Sequence, residues 1–469
     1  MTITTVHALG DATITELAGS IRGSLVRPGE PDYELARRTW NHAIDRHPAI
    51  VVRPTGVADV VRAVQFARSE GLPVAVRGGG HSIAGFSTCD DGLVLDLSGM
   101  RAVQVDPMRG VATAQGGATW GDFDHETQAH GLACTGGLIS TTGIGGLTLG
   151  GGIGHLLRKH GLACDSLTGA DVVTADGTLV RAAEDVELLW ALRGGGGNFG
   201  VVTNMEYALH PVGPMVFGGP VFYSGVDAAQ VVAGWRDAVA DAPDELTTLI
   251  VLTTAPPAPF LPEQVHGTKV VAMVGCWAGD LGEGETAMQP LRTLATPIAD
   301  LSGPLPYLAL QQLLDPLWGP GAANYFTSAF LDRLPDDAVE KFVQFHQSSA
   351  GLPAACELHI HQGGGAFGRV PADATAFSQR DAAYLVNCIA RTPSLEGFGP
   401  AVEWAKAARD AVADYGSGRA YVNYTGDAEP ARVRESYPRA TYQRLAAVKA
   451  RLDPDNVFRF NQNIRPETG

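Results

Sequence analysis

The residues able to do chemistry are concentrated in three glycine-rich stretches. The first, RGGGHS (77–82), ends its glycine run on His81. The second, TGIGGLTLGGGIGH (142–155), ends on His155, and the third is RGGGGNFGVVT (193–203). Glycine lets backbone N–H groups approach a pyrophosphate with no Cβ in the way. One such loop is explained as well by a tight turn. Three of them beside apolar strands point to a dinucleotide. No GxxxxGK[ST] occurs, which argues against a P-loop. The run at 143–154 follows no clear strand, so the Rossmann fingerprint fits poorly. His81 adds a second kind of chemistry. A neutral imidazole nitrogen is a nucleophile, and this one is placed to bond a reactive cofactor carbon. The alternative is a structural histidine with satisfied hydrogen bonds.

A second constellation is Glu357, His359 and His361 in CELHIHQGGG (356–365), which alternate and so share one face of a strand. Three readings stand side by side. Two histidines and a carboxylate could hold a metal. They could form a polar wall of a substrate cavity, with Glu357 or His359 assisting proton transfer. Or they could be a solvated sheet face. His155, Arg158, Lys159 and His160 read as helical, with His155 and Lys159 on one face. They read either as binders of cofactor phosphate or as a solvated face, and beyond His155 the solvated face is expected. The six cysteines form no CxxC pair and are expected as free thiols, with Cys134 the one that lies close to a glycine run.

The elements that position these residues alternate. Ile50, Val51 and Val52 form a short strand. Thr55 is expected to cap a helix carried by Val57, Val60, Val61, Val64 and Ala67, which Gly71 closes. Leu72 to Val76 form the next strand. This βαβ unit delivers RGGGHS to the carboxyl end of a strand, where α/β folds bind ligands. A strand follows at 92–100, then a strand, glycine turn and helix start at 111–123. A hairpin is expected around Ala175-Asp176-Gly177. After about Pro211 the pattern changes to short strands and helices broken by Pro- and Ala-rich segments. A helix at 436–452 precedes the tail NVFRFNQNIRP (456–466).

The chain has 469 residues, 45% apolar and 18% charged, which excludes disorder. Its formal charge is 34 − 50 = −16. An acidic balance works against nucleic acid as a partner, and no apolar run is long enough to span a membrane. The opening MTITTVHALGDATITE lacks a basic region followed by an apolar stretch. The expectation is a cytoplasmic enzyme or ligand-binding protein, monomer or homodimer.

RGGGHS (77–82), TTGIGGLTLGGGIGHLLRKHGL (141–162), RGGGGNFGVVT (193–203) and FNQNIRP (460–466) together resemble the berberine-bridge-enzyme-like flavin oxidases, of the vanillyl-alcohol-oxidase class of FAD-binding proteins. The resemblance runs from about residue 45 to 467. It implies an α+β fold: a PCMH-type FAD-binding domain of two α+β subdomains, from 1–212 with a C-terminal return at 425–469. A substrate domain at 213–424 is an antiparallel sheet backed by helices. It also implies FAD bonded through its 8α-methyl carbon to His81. The position of a second, cysteinyl link holds Ile139, so one link is expected. The implied cofactor-binding residues of the first loop are Arg77, Gly78, Gly79, Gly80, His81, Ser82 and Gly85. Those of the second are Thr142, Gly143, Gly145, Gly146, Gly150, Gly151, Gly152, Gly154 and His155. The third loop supplies Asn198, Gly200 and Val202, and the tail Asn461 and Asn463.

The implied reaction is hydride transfer from an alcohol or activated C–H of a small molecule (a sugar or natural-product intermediate) to flavin N5, with O2 reduced to H2O2. Thr142 falls where the family controls oxygen access. A polar pair on a substrate-domain strand is replaced by Leu385 and Asn387. Tyr421-Val422-Asn423-Tyr424 matches a strand motif near the flavin, and a tyrosine base there needs its pKa lowered by a cation or hydrogen bonds. The catalytic candidates are Tyr421, Tyr424, Asn387, Glu357 and Thr142, with no metal. The alternatives are a flavin dehydrogenase using another acceptor, a metal-dependent enzyme using Glu357, His359 and His361, or a non-catalytic ligand-binding protein.

Overall fold

A computed structural model describes residues 9–352, 355–427 and 430–467. The start of the opening segment read above, at 1–8, lies outside the described residues. The first sheet holds β1 (Ser24–Val26), β2 (Ile50–Arg53), β3 (Val74–Arg77) and β4 (Leu93–Asp96) in the order β1-β2-β4-β3. β2 and β3 both run parallel to β4, which lies between them. The helix Val57–Ser69 buries Val60, Ala63, Val64 and Ala67 at helical spacing against this sheet. It starts behind Gly56, and Thr55 is not its side-chain cap. The Asp59 carboxylate instead accepts from the N–H groups of Arg22, Gly23 and Thr55 and from the Thr55 hydroxyl.

The second sheet is antiparallel. It is built from β5 (Val103–Asp106), β6 (Val111–Gln115), β8 (Leu167–Val173), β9 (Leu179–Arg181) and β10 (Val201–Ala208) in the order β5-β6-β10-β8-β9. β8 and β9 make the hairpin expected at Ala175-Asp176-Gly177. Short β7 (Leu132–Ala133) pairs with β11 (His210–Pro211).

The third sheet comprises β12 (Met215–Ser224), β13 (Leu246–Thr254), β14 (Lys269–Trp277), β15 (Pro297–Asp300), β16 (Gly303–Pro306), β17 (Ala323–Leu331), β18 (Ala355–Gln362) and β19 (Tyr384–Thr392). Every pairing in it is antiparallel. Its period of two sorts the side chains. Leu358, Ile360, Val386, Cys388 and Ala390 face the helices Ala228–Val239, Asp336–Ser348 and Phe398–Val412, in one core with Trp235, Phe342 and Trp404. Burying each such large apolar side chain stabilises the fold by about 1.5–3 kcal/mol. The alternate residues Phe326, His359, Asn387 and Ile389 face the other way, toward the first two sheets. The mixed α+β architecture implied by the sequence is therefore the one observed. All six cysteines are buried and unpaired, and Cys134 sits in the core beside Trp120 and Phe123. Among the described residues no helix is long and apolar enough to cross a membrane.

Candidate active site

One cavity runs between the first two sheets and the face of the third that is turned away from its helices. Its floor is the three glycine loops: Gly78, Gly79 and Gly80; Gly143, Gly145, Gly146 and Gly150; and Gly196, Gly197 and Gly200. The loops hold each other closely. A Cβ on Gly79 would lie 2.3 Å from the Gly143 nitrogen, and the N–H groups of Gly194 and Gly196 both donate to the Leu149 carbonyl. At Gly146 and Gly197 a Cβ would meet nothing within 4 Å, so these glycines leave open space in the cavity. Such a floor accepts a polyanionic or flat group against bare backbone.

His81 stands at one end. Trp40 stacks on its ring at 4.9 Å and 17°, and Trp40 is itself fixed by a 2.8 Å hydrogen bond from Nε1 to the Trp318 carbonyl. Thr141 Oγ1 lies 3.2 Å from His81 Nε2, and Thr142 Oγ1 lies 3.4 Å from Nδ1. Burial pushes the His81 pKa down to about 4, so the imidazole is neutral near pH 7. Ile139 also lines the cavity. Ser82, Val202 and Asn461 line it too, and the Oδ1 atoms of Asn461 and Asn387 are buried in its wall without a partner. The glycine floor and these orphaned amide oxygens fit a flavin dinucleotide.

Several expected cofactor residues do not reach the cavity. Arg77 is buried and donates to the carbonyls of Ser87 and Ala36, so it braces the loop from behind. Gly85, with φ +77°, packs against Ile44, where a Cβ would fall 2.7 Å from Cδ1. Gly151 lies against Phe377, Gly152 against Ala163, and Gly154 against the Gly136 carbonyl at 1.9 Å from a Cβ, so these glycines serve chain packing. His155 is buried behind the cavity, with Nε2 unpartnered and its pKa pushed by burial down to about 4. Asn198 holds the tail, donating to the Gly195 and Gln462 carbonyls and accepting from the Ile464 N–H. Buried Lys449 completes that clamp through Asn198 O, Asp453 and Phe458 O. Asn463 Oδ1 is buried and unpartnered but lies off the cavity lining.

The expected solvated face at 158–160 is not solvated. Arg158 is buried and donates to the carbonyls of Leu246, Gly363 and Ala242, joining the second loop to the third sheet. His160 stacks on His210 at 4.0 Å.

Tyr421 and Tyr424 do not lie on a strand. Residues Val422–Tyr424 form a single 3-10 turn, and this separates the two tyrosines. Tyr421 is buried off the cavity, where its oxygen accepts from the Gly152 N–H at 2.7 Å and from Asn423 Nδ2 at 2.8 Å. Tyr424 lines the cavity, with its ring 5.7 Å from that of His361. Burial pushes both phenols up, and no cation stands among the causes acting on either. Neither is therefore poised to accept a proton near neutral pH.

The alternating triad is buried and not a solvated face. His359 lines the cavity, and its Nε2 lies 2.8 Å from the Glu357 carboxylate, which also accepts from Thr253. Burial alone would raise the Glu357 pKa, but its hydrogen bonds with His359 and Thr253 and the charges of His359 and Arg391 outweigh it, and the net shift is downward. His361 lies outside the cavity, its ring 6.4 Å from that of His359. Among the described residues no group of three or more His, Cys, Asp or Glu is placed to hold a metal ion. Trp40, Trp318, Phe326 and Ile389 also line the cavity; they come from separated elements, and no motif of the sequence marks them.

The family models for an FAD binding domain and for a "Berberine and berberine like" region match residues 48–183 and 420–465. An FAD-linked oxidoreductase of Dictyostelium discoideum is 31% identical over 458 residues, covering 97% of each chain. The (R)-6-hydroxynicotine oxidase of Paenarthrobacter nicotinovorans is 30% identical over 468 residues, covering 96% of this chain and 98% of that one. The crystal structure of 6-hydroxy-D-nicotine oxidase from Arthrobacter nicotinovorans superposes with a TM-score of 0.85 at 28% identity, over 96% of this chain and 99% of the other.

Proposed function

Because the chain belongs to the FAD-linked oxidoreductases of the berberine-bridge-enzyme-like family, we propose that it holds FAD through one covalent bond, from His81 to the flavin 8α-methyl carbon. When bound, the flavin would take hydride at N5 from an alcohol or activated C–H bond of a small molecule and pass the electrons to O2, giving H2O2. Residues 1–212 and 425–469 would form the FAD-binding domain, and 213–424 the substrate domain.

The observation that carries this reading is the placement of His81. It is a neutral imidazole at the end of the glycine floor, clamped between Trp40 and two threonine hydroxyls. A neutral, oriented nitrogen is the form that attacks carbon. Ile139 offers no second nucleophile in the lining. Asn387, Asn461 and Tyr424 supply polar groups that would orient the flavin and the substrate.

The test is acid precipitation of the purified protein. A yellow pellet whose flavin cannot be extracted, and a colourless pellet from His81→Ala, are expected. Extractable flavin in the parent protein refutes the covalent link. A second reading, a dehydrogenase using another acceptor, rests on Thr142, whose side chain lines the cavity at the position where the resemblance implies control of oxygen access. Slow reoxidation of the reduced protein in air-saturated buffer would favour it.

A further inference from the structure

We propose that Asp315 is a positioning residue for the attachment at His81: by holding Ser140, it sets the two threonine hydroxyls that orient the imidazole. The proposal rests on the covalent reading of His81 above and adds to it a residue from the segment between β16 and β17.

His81 has two ring nitrogens, and a threonine hydroxyl faces each. Thr141 Oγ1 lies 3.2 Å from Nε2, and Thr142 Oγ1 lies 3.4 Å from Nδ1. A hydroxyl both donates and accepts, so the pair orients the ring whichever nitrogen carries the hydrogen. Both threonines lie on a turn between β7 and the helix Ile144–Leu149, outside any helix or strand. Such a turn aims its side chains only as well as it is itself held. Ser140, which precedes Thr141, is where it is held. The Ser140 carbonyl accepts from the Gly121 N–H at 2.8 Å. The Ser140 N–H donates to Asp315 Oδ1 at 2.8 Å, and the Ser140 hydroxyl donates to Asp315 Oδ2.

Asp315 reaches Ser140 across 175 residues of chain. It opens the 3-10 turn Asp315–Leu317. A carboxylate at the start of a helical turn commonly accepts from N–H groups of its own turn. Here both oxygens go to Ser140 instead. Two bonds from one residue to one carboxylate fix its orientation as well as its place, and the charge on the acceptor strengthens both.

The same segment holds the other support of the imidazole. The Trp318 carbonyl accepts from Trp40 Nε1 at 2.8 Å, and Trp40 stacks on His81. Gln311 Nε2 donates to the Gly137 carbonyl at 3.3 Å, just before the threonine turn. Residues 311–318 therefore grip both the stacking ring and the hydroxyl pair. Bond formation needs the nitrogen within a narrow range of its carbon, and a small displacement slows it steeply.

In the attachment a bond forms between an imidazole nitrogen and the 8α carbon. One hydrogen leaves the methyl group and one leaves the imidazole, both as protons. The electron pair of the broken C–H bond passes through the flavin to O2, which takes up the two protons and becomes H2O2.

The experiment uses the full chain, purified soon after synthesis and incubated with excess FAD in aerated buffer. Acid-stable flavin, total bound flavin and the urea midpoint are followed on the same samples. Asp315→Ala should bind as much flavin as the parent but make it acid-stable at least about tenfold more slowly. Asp315→Asn keeps an acceptor for the Ser140 N–H and a donor for its hydroxyl, so its rate should stay within about twofold of the parent. Asp59→Ala controls for a general loss of stability, because it removes the acceptor of the Arg22 and Gly23 N–H groups, and it should attach flavin at the parent rate. The proposal is overturned if Asp315→Ala matches the parent rate, if Asp59→Ala slows attachment equally, or if acid-stable flavin falls only in step with bound flavin. An Asn variant as slow as the Ala variant overturns the hydrogen-bonding role. Where Asp315→Ala does not fold, Ser140→Ala decides. It keeps the N–H bond and loses the hydroxyl bond, and a slowing of about threefold or more supports the proposal, while an unchanged rate overturns it. Extractable flavin in the parent overturns the covalent reading and this proposal together. Acid-stable flavin that forms equally fast in Asp315→Ala overturns this proposal alone.

Discussion

Trp40 lies flat on His81, 4.9 Å between ring centroids and 17° between planes. The stack joins two loops, and Trp40 is anchored by its Nε1 to the Trp318 carbonyl, in the segment that leads into β17. A nucleophile that must meet one carbon at bonding distance depends on such a clamp. Trp40→Ala should leave FAD binding intact but lower the fraction of flavin that survives acid precipitation, measured as absorbance near 450 nm in pellet and supernatant. An unchanged covalent fraction would show that the stack is not needed for attachment.

Ile139 lines the cavity where the sequence resemblance places a second covalent link. On the proposed placement of the flavin, a thiol there would line the cavity with Thr142. We expect Ile139→Cys in the His81→Ala background to restore acid-stable flavin, read by flavin fluorescence of the denatured protein band. Continued loss of flavin would mean that residue 139 does not approach the ring.

Burial holds His155 and His361 near pKa values of about 4 and about 3, with the charges of His359 and His155 adding to the effect on His361. Both values lie below the unfolded value of about 6.5. From pH 6.5 downward the unfolded chain takes up protons that the folded one refuses. The stability these groups contribute is therefore complete above pH 6.5 and is lost as pH falls toward 4 and 3. Each unit in that window costs about 1.4 kcal/mol per histidine. Urea midpoints should drop steeply between pH 6.5 and 5, where carboxylates titrate little. His155→Gln should flatten the slope by one histidine's share. A parent midpoint that is level over this range contradicts the buried neutral state.

The legible parts of this molecule were those with local patterns. The helix at 57–69 announced itself by Val57, Val60, Val61 and Val64, and the hairpin by Asp176-Gly177, because periodicity and turn chemistry act over a few residues. The three glycine loops were legible as a floor, but not which glycines face the cavity. Gly146 and Gly154 look alike in sequence. One opens on free space, the other abuts the Gly136 carbonyl, and only distant chain decides this. Arg158 looked like a surface cation because nothing near it predicts the three carbonyls that it meets 84 to 205 residues away. Trp40 and Phe326 were missed for the same reason, since each becomes a cavity residue only through the packing of the third sheet on the first. The Glu357/His359/His361 alternation was correctly placed on one face. Whether that face met solvent or the cavity depended on tertiary contacts.

Tyr421 and Tyr424 are equivalent in the sequence motif and opposite in the structure. The Tyr421 oxygen accepts hydrogen bonds from the Gly152 N–H and Asn423 Nδ2, in a pocket that also holds Phe377. Removing it strands a buried backbone donor, which costs about 1–3 kcal/mol. Tyr421→Phe should therefore lower the urea midpoint while slowing flavin reduction only modestly. Tyr424 is held by ring contacts with Tyr421 at 5.0 Å and His361 at 5.7 Å, so Tyr424→Phe should leave stability nearly unchanged. Its phenol is kept protonated by burial and lines the cavity, where we expect it to donate to a bound substrate. Its loss should slow reduction by about tenfold, since a neutral hydrogen bond to the substrate contributes about 0.5–1.5 kcal/mol and a donor tuned to the transition state rather more. The two variants are read side by side, by chemical denaturation and by anaerobic stopped-flow bleaching of the flavin. A stability loss in Tyr424→Phe, or a larger rate loss in Tyr421→Phe, would reverse the assignment of the two rings.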